Sequence, residues 1–247
     1  MVDIKGRWVL VTGASRGIGL LTARFLAKNG ANIILHSRDI SHTKKLCDEI
    51  EAMGVEAYQI AAELSDLNQV ESMLQKIDEL GINVEFVSNN AGVQIAYRDE
   101  YLKTPKEDYE VSFRINTIAP MMICYHFLPK MIENGFGRIL NTTSGITLDP
   151  QQAGYSASKA ALDKVTIDIG SKIQGTNVCI NLTDPGWCRT DLGGSKAPND
   201  TKSTIPGIVV GLFIDDKKSG RCFPAQDFKD MSLEEAVNKA ETYSSPY

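Results

Sequence analysis

Residues 8–19 read Trp8-Val9-Leu10-Val11-Thr12-Gly13-Ala14-Ser15-Arg16-Gly17-Ile18-Gly19. A short apolar run passes straight into a glycine turn, and a helix-period pattern starts at about Gly17. Such a run is what a strand buried on both faces requires. The glycines that follow have separate tasks. Gly13 permits the tight turn, Gly17 lets the backbone approach a pyrophosphate, and Gly19 allows close helix–strand packing. The free N–H groups and positive dipole end of the helix then face an anion. A glycine turn alone is a weak signal, since a purely structural strand–helix turn has the same composition. Its position between a first strand and a first helix points to dinucleotide binding, with Ser15, Arg16 and Ile18 in the same turn.

Outward from this unit the alternation repeats. Val- and Ile-rich runs at 8–11, 32–35, 55–60, 84–87, 138–140 and 178–182 predict strands. Helical patterns fall at about 17–29, 40–53, 66–79, 106–133 and 153–173. Repeated strand–helix alternation implies parallel strands with right-handed crossovers. The expected fold is a single α/β domain over 1–247, a Rossmann-type doubly wound parallel sheet of about seven strands with helices on both faces. Thr104-Pro105-Lys106-Glu107 and Ser232-Leu233-Glu234-Glu235 read as capping boxes, the first with Pro105 at the first helical position. Asn29-Gly30 and Asn134-Gly135 read as helix ends. Pro120 and Pro129 either kink or end the long fourth helix; the pattern leaves both open. The Gly-, Ser-, Pro- and Asn-rich stretch 191–206 is expected to be a mobile substrate loop within the domain.

Composition narrows the function classes. The chain of 247 residues is 43% hydrophobic, enough for a core without disulfides or metal, and carries a formal net charge of −5. No basic run offsets that charge, which argues against a nucleic-acid partner. No stretch of about 18 apolar residues suggests a membrane span, and the first residues lack a signal or transit pattern. The five cysteines include no C-x-x-C pair, so neither a disulfide framework nor a metal site is expected, and a reducing, cytoplasmic setting fits.

The second strand ends at Leu35-His36-Ser37-Arg38. An NAD site usually has a carboxylate here for the ribose 2′-hydroxyl. Ser37 is neutral and Arg38 follows, with Arg16 in the nearby turn. Two guanidinium groups suit a 2′-phosphate, so NADP(H) is the expected cofactor. The alternative is that Arg38 merely covers exposed loop surface.

Tyr155-Ser156-Ala157-Ser158-Lys159 opens the fifth helix. Residues four apart share a helix face, so phenol and ammonium project side by side. Alone, this spacing is common and weak. Its chemical use is that a unit charge near 4 Å contributes about 4 kcal/mol at an effective dielectric of 20. That would draw a phenol pKa from about 10 towards 7, with desolvation opposing it. A phenol so poised can give or take a proton as a carbonyl is reduced or an alcohol oxidised.

Taken together these motifs resemble the short-chain dehydrogenase/reductase family. The T-G-x-x-x-G-x-G turn matches at Thr12, Gly13, Gly17 and Gly19. Asn89-Asn90-Ala91-Gly92 matches the motif after the fourth strand. Asn116, Ser144, Tyr155 and Lys159 match the catalytic positions, and Pro185-Gly186 with Thr190 and Asp191 the motif after the sixth strand. The set runs in family order from residue 12 to 191, which is far more specific than any one motif. The resemblance implies that Tyr155 is general acid in reduction and base in oxidation. It implies that Lys159 lowers the Tyr155 pKa and holds the nicotinamide ribose, and that Ser144 steadies the substrate oxygen. Asn116 would hold a water in a relay with Lys159, or simply satisfy backbone groups. Asn90, Ala91 and Gly92 would border the adenosine ribose, and Pro185, Gly186 and Thr190 the nicotinamide. Glu63, followed by Leu64, stands where the family usually has an aspartate at the adenine, which puts that contact in doubt. The Ser144–Tyr155 interval is also slightly short.

Residues 185–194 resemble those of carbonyl-reductase-like members of the family. The substrate side is expected at Gln94, Ser144, Tyr155 and Trp187, where Trp187 either stacks on a ring or walls the nicotinamide pocket. The expected activity is reduction of a small neutral ketone or aldehyde with NADPH. A mainly oxidative alcohol or polyol dehydrogenase and a catalytically silent NADP(H)-binding regulator are the alternatives. The resemblance further implies a homodimer or homotetramer through the fourth and fifth helices.

Overall fold

A computed structural model describes residues 1–245 of the chain. Its strands are β1 (Trp8–Val11), β2 (Asn32–Ser37), β3 (Ala57–Ala61), β4 (Val84–Asn89), β5 (Gly137–Thr142), β6 (Val178–Asp184) and β7 (Cys222–Pro224). They form one seven-stranded sheet in the order β3-β2-β1-β4-β5-β6-β7. Every neighbouring pair is parallel. The strand order reverses between β1 and β4, and in such sheets ligands bind outside the C-terminal ends of the strands at this point.

The side-chain period of two explains why the strands read as continuous apolar runs. Val9, Val11, Ile33, Leu35, Phe86 and Leu140 enter one core, while Leu10, Ile34, Val87 and Ile139 enter the other. The first core is closed by α1 (Gly17–Lys28) and α2 (Lys44–Glu51), joined near the C-terminus by α7 (Val210–Phe213) and α8 (Leu233–Ala240). The second is closed by α3 (Leu67–Glu79), α5 (Ala119–Asn134) and α6 (Gly154–Lys172). Each fully buried Leu, Ile or Phe contributes about 1.5–3 kcal/mol, so the two layers fix strand register firmly.

The fourth helix answers the proline question in an unexpected way. Pro120 has no N–H, so the Asn116 carbonyl, four residues back, cannot take the usual α-helical bond. The helix neither ends nor breaks. It widens into a π turn at Arg114–Ile118, between α4 (Lys106–Phe113) and α5, with the Ala119 N–H donating to the Arg114 carbonyl. Pro129 lies inside α5.

One expected cap is corrected. Pro105 is extended (ψ 145°) and is itself the N-cap of α4, so it does not occupy the first helical position. The Thr104 hydroxyl donates to the Tyr101 carbonyl at 2.7 Å, so it does not cap the helix. The second box is present: the Glu235 carboxylate accepts from the Ser232 N–H at 2.8 Å, and Ser232 Oγ accepts from the Glu235 N–H at 3.2 Å. The tail beyond α8 turns back on the sheet, where Tyr243 packs on Phe223 and Phe228. No helix among the described residues is long and apolar enough to cross a membrane.

Candidate active site

The glycine turn is built to hold an anion. Gly13 and Gly17 adopt positive φ (67° and 56°), a region that side chains rarely tolerate. A Cβ on Gly19 would stand 2.2 Å from the Gly13 carbonyl oxygen and 2.5 Å from Asn90 Nδ2. The third glycine is therefore a packing requirement between α1 and the turn. Arg16, the N-cap of α1, makes no side-chain capping bond, and the first turn has no acidic residue. The first N–H groups of the helix are thus left to an external acceptor, the arrangement that binds phosphate. The cradle fits a dinucleotide pyrophosphate.

Two neighbours hold that turn. Thr12 Oγ1 accepts from the Asn90 and Ala91 N–H groups, both at 3.0 Å, and Asn90 Nδ2 donates to the Thr12 carbonyl at 3.0 Å. This joins the ends of β1 and β4. On the other side the Gly13 N–H donates to His36 Nδ1 at 3.3 Å, and His36 Nε2 lies 3.1 Å from the Ala62 carbonyl. Burial pulls the imidazole pKa down to about 4. The ring is therefore neutral, accepting at Nδ1 and donating at Nε2.

The residues expected at the adenosine end are distributed unevenly. Arg38 is exposed, with no ion pair or hydrogen bond among the described residues. Arg16 instead reaches Asp191, NH1 to Oδ2 at 2.9 Å, across the mouth of the turn. Ser37 is buried and donates to the Asp39 carbonyl at 2.6 Å. The Glu63 carboxylate folds back to accept the Ser65 N–H at 3.1 Å, and Leu64 is buried in the second core. Leu64 can thus offer only backbone to a cofactor.

At the ends of β5 and β6 the expected catalytic set converges. The Ser144 hydroxyl faces the Tyr155 phenol closely enough to pull its pKa down. One turn along α6, Lys159 is buried and its Nζ donates to the Thr142 carbonyl at 2.7 Å. A Cβ on Gly92 would lie 3.4 Å from both Lys159 Nζ and Asn116 Oδ1. Both ends of the Asn116 amide are engaged. Its Oδ1 accepts from the Val93 N–H at 2.9 Å, and its Nδ2 donates to the Val93 carbonyl at 2.8 Å and Ser158 Oγ at 3.0 Å. This side chain clamps the β4 loop.

The phenol pKa moves opposite to the expectation. Burial pushes Tyr155 up, the Ser144 bond pulls it down, and the carboxylate of Asp184 pushes it up again. Burial also pulls Lys159 down to about 8, opposed by Asp163 and Asp184. The acidic residues of this site escape motif reading. Asp163 had a usable signal, since it follows Lys159 by the same four-residue step that links Lys159 to Tyr155. Asp184 precedes Pro185-Gly186, and its Oδ1 accepts the Gly186 N–H at 2.8 Å.

Tyr155 is also fixed from below. Ala153, the N-cap of α6, has φ 44°, a strained value for a residue with a Cβ. Gly154 then packs on α4, where a Cβ would meet the Asp108 carbonyl oxygen at 2.6 Å. Asp108 is held by a bidentate Arg98 pair at 2.7 and 2.9 Å, and the Arg98 N–H donates to the Gln151 carbonyl at 3.0 Å. Helix start, β4 loop and β5 loop are locked together around the phenol.

The β6 loop closes the site. Thr190 Cγ2 would touch a Cβ on Gly17 at 3.5 Å, and Thr190 Oγ1 accepts the Gly193 N–H at 2.9 Å. Trp187 Nε1 donates to the Gly193 carbonyl at 2.7 Å, leaving the ring exposed. Gln94 is half-buried on the β4 loop.

This sheet, turn and Ser–Tyr–Lys set define a dinucleotide-dependent oxidoreductase site on a doubly wound fold. The family model for short chain dehydrogenase matches residues 7–201. The chain is 32% identical to the ketoacyl reductase HetN of Nostoc sp., over 97% of this chain and 81% of that protein. It superposes on a metagenomic short-chain oxidoreductase solved in complex with NADP with a TM-score of 0.69 at 28% identity, covering 74% of this chain and 84% of the other. A short chain dehydrogenase from Salmonella enterica serovar Typhi shares the fold, with a TM-score of 0.82 at 22% identity over 91% and 98% of the two chains. The chain belongs to the short-chain dehydrogenase/reductase family and is an oxidoreductase of that class.

Proposed function

We propose that this enzyme is an NADP(H)-dependent reductase of a ketone or aldehyde, with Tyr155 as the proton donor. The observation that carries this reading is the Tyr155 phenol facing Ser144 one helical turn from the buried Lys159, beside a glycine turn with an uncapped helix N-terminus. The HetN relative bears the name of a reductase acting on a carbonyl, and the metagenomic neighbour is a complex with NADP. The bound cofactor supplies the hydride.

The chain's own residues do the rest. The turn at Gly13, Ser15, Arg16, Gly17, Ile18 and Gly19 takes the pyrophosphate. Arg38, free of protein partners among the described residues, is available to the 2′-phosphate. Ser144 donates to the carbonyl oxygen and Tyr155 gives it a proton as charge develops there. Lys159 keeps a positive charge beside that transfer. The raised Tyr155 pKa supports the reductive direction. A phenol that burial and Asp184 hold protonated is ready to donate, whereas oxidation needs the phenolate. The loop 191–206 orders over the cofactor, with Arg16–Asp191 as its first contact. Two copies pair through the fourth and fifth helices, where Tyr109, Ile118 and Tyr125 are exposed.

The test is loss of NADPH absorbance with a panel of ketones, aldehydes and quinones, with NADH alongside. Tyr155→Phe should bind NADPH normally and lose turnover by about 10²–10⁴-fold, the range for removing a general acid. Full turnover by a folded, NADPH-binding Tyr155→Phe variant would overturn the reading.

A further inference from the structure

We propose that Asp163 is a positioning residue that holds Lys159 in its ammonium form, so that the site keeps its positive charge at neutral and mildly alkaline pH. The catalytic part of this inference rests on the function proposed above; the ionisation part does not.

The geometry starts from the helix. Tyr155, Lys159 and Asp163 follow one another at four-residue steps along α6 and share its inward side. Lys159 is 3% exposed, and the acceptor its ammonium meets is the Thr142 carbonyl. Gly92 and the neutral Asn116 amide also lie near it. An ammonium has three donors and a high cost of burial, so such a lysine tends to lose its proton unless negative charge lies close.

Two carboxylates supply that charge, and they are not equivalent. Asp184, from the end of β6, has structural work of its own, since it accepts the Gly186 N–H at 2.8 Å. Asp163 has only the neighbouring Thr143 hydroxyl. Its Oδ1 is buried without a hydrogen-bond partner. A buried carboxylate oxygen left in this way costs about 1–3 kcal/mol or more, and a leucine or alanine there would avoid the cost. The compensation is electrostatic, because the carboxylate lies one turn from a buried cation.

The groups facing this pair come from four elements. Lys159 and Asp163 are on α6, Thr143 follows β5, Asp184 ends β6 and Cys222 begins β7. The Cys222 thiol is pushed up to about 12 by burial and the two carboxylates, so it stays neutral. Burial pushes Asp163 up to about 6, held down by Thr143 and Lys159 and raised further by Asp184. It is therefore ionised at the pH where Lys159, drawn down to about 8, starts to deprotonate. Below pH 6 Asp163 becomes neutral, but Lys159 is then protonated in any case. The effect of Asp163 is thus confined to the alkaline side.

The experiment follows NADPH affinity and kcat/KM from pH 6.5 to 10 in the wild type and in Asp163→Asn, Asp163→Ala and Asp163→Glu. Loss of the carboxylate should move the alkaline fall-off in both quantities down by about one pH unit, a tenfold loss at pH 9 and about a twofold loss at pH 7. Asp163→Glu should restore it. Asp163→Ala, smaller and neutral, serves if the asparagine variant does not fold. An unmoved alkaline limb, or a loss of equal size at every pH, would overturn the proposal. If the wild type reduces no carbonyl, the NADPH-binding profile still reports Lys159, so the two readings fail separately.

Discussion

Replacing His36 with asparagine should change how stability depends on pH more than it changes stability itself. His36 bridges the Gly13 N–H and the Ala62 carbonyl, at 3.3 and 3.1 Å, and both contacts are made at once only by the neutral ring. Its pKa falls from 6.5 to about 4, chiefly through burial. Above pH 6.5 neither the folded nor the unfolded chain holds the extra proton, and the neutral ring contributes in full. As pH falls below 6.5 the unfolded chain protonates first, so the folded state loses about 1.4 kcal/mol per pH unit until about pH 4, or about 3 kcal/mol in total. Asp163 acts with the opposite sign. Its folded pKa is raised from 3.8 to about 6, so it adds stability as pH falls through the same window. The wild-type curve is therefore flattened, and the difference between variants carries the information. In urea unfolding from pH 7.5 to 4.5, His36→Asn should be about 1 kcal/mol less stable than wild type at pH 7.5, for the lost bond to Ala62. The gap should close and reverse towards pH 4.5. Asp163→Asn should expose the full acid loss due to His36. A wild-type-minus-His36→Asn difference that stays constant across this range would refute the neutral, bridging imidazole.

Four further outcomes test the cofactor groove. Gly19→Ala places a methyl 2.2 Å from a backbone oxygen; overpacking of this kind costs about 1–3 kcal/mol. It should lower the melting temperature and weaken NADPH at least tenfold in a fluorescence titration. Arg38→Ala should weaken NADPH by about 1.5–3 kcal/mol, the worth of a hydrogen bond to a charged group, and leave NADH unchanged. Arg16→Ala should do less, because Arg16 is already engaged by Asp191; equal affinities of the Arg38→Ala variant and wild type for NADPH would dismiss the assignment. Limited proteolysis should cut the 191–206 segment more slowly with NADPH present, and identical cutting would remove the lid.

Most of the sheet was legible because its strands are buried on both faces, and their Val–Ile runs carry that fact without reference to partners. The glycine turn was legible for a related reason: Gly13, Gly17 and Gly19 each meet a local constraint. What failed was either a choice between competing local partners or a contact distant in sequence. The Thr104 hydroxyl turns back to the Tyr101 carbonyl three residues away, a local alternative that the capping-box pattern does not exclude. The prolines announced an interruption, but only the fold shows that Pro120 widens the helix at Asn116 and lets it continue into α5. His36 stood inside a quoted motif without a role, because its partners Gly13 and Ala62 lie 23 and 26 residues away. Asp163 was within reach of the helix-face argument already used for Lys159, and was passed over because no family motif marks it.

The phenol shows why spacing alone misjudges chemistry. A lysine four residues along promises about 4 kcal/mol towards the phenolate if its charge acts alone at an effective dielectric of 20. In the fold that charge is not alone. Lys159 donates to the Thr142 carbonyl and shares its field with Asp163 and Asp184. Asp184 also acts directly on Tyr155, and burial acts in the same direction. Ser144 alone is left pulling the phenol down, and it is outweighed. The two parts of the motif thus do different work. In the function proposed above Tyr155 holds its proton until an oxygen accepts it, and on the alkaline side Lys159 keeps its positive charge with the help of the negative charge around it. In the proposed reading a site arranged in this way rests as an acid, the state from which carbonyl reduction would start.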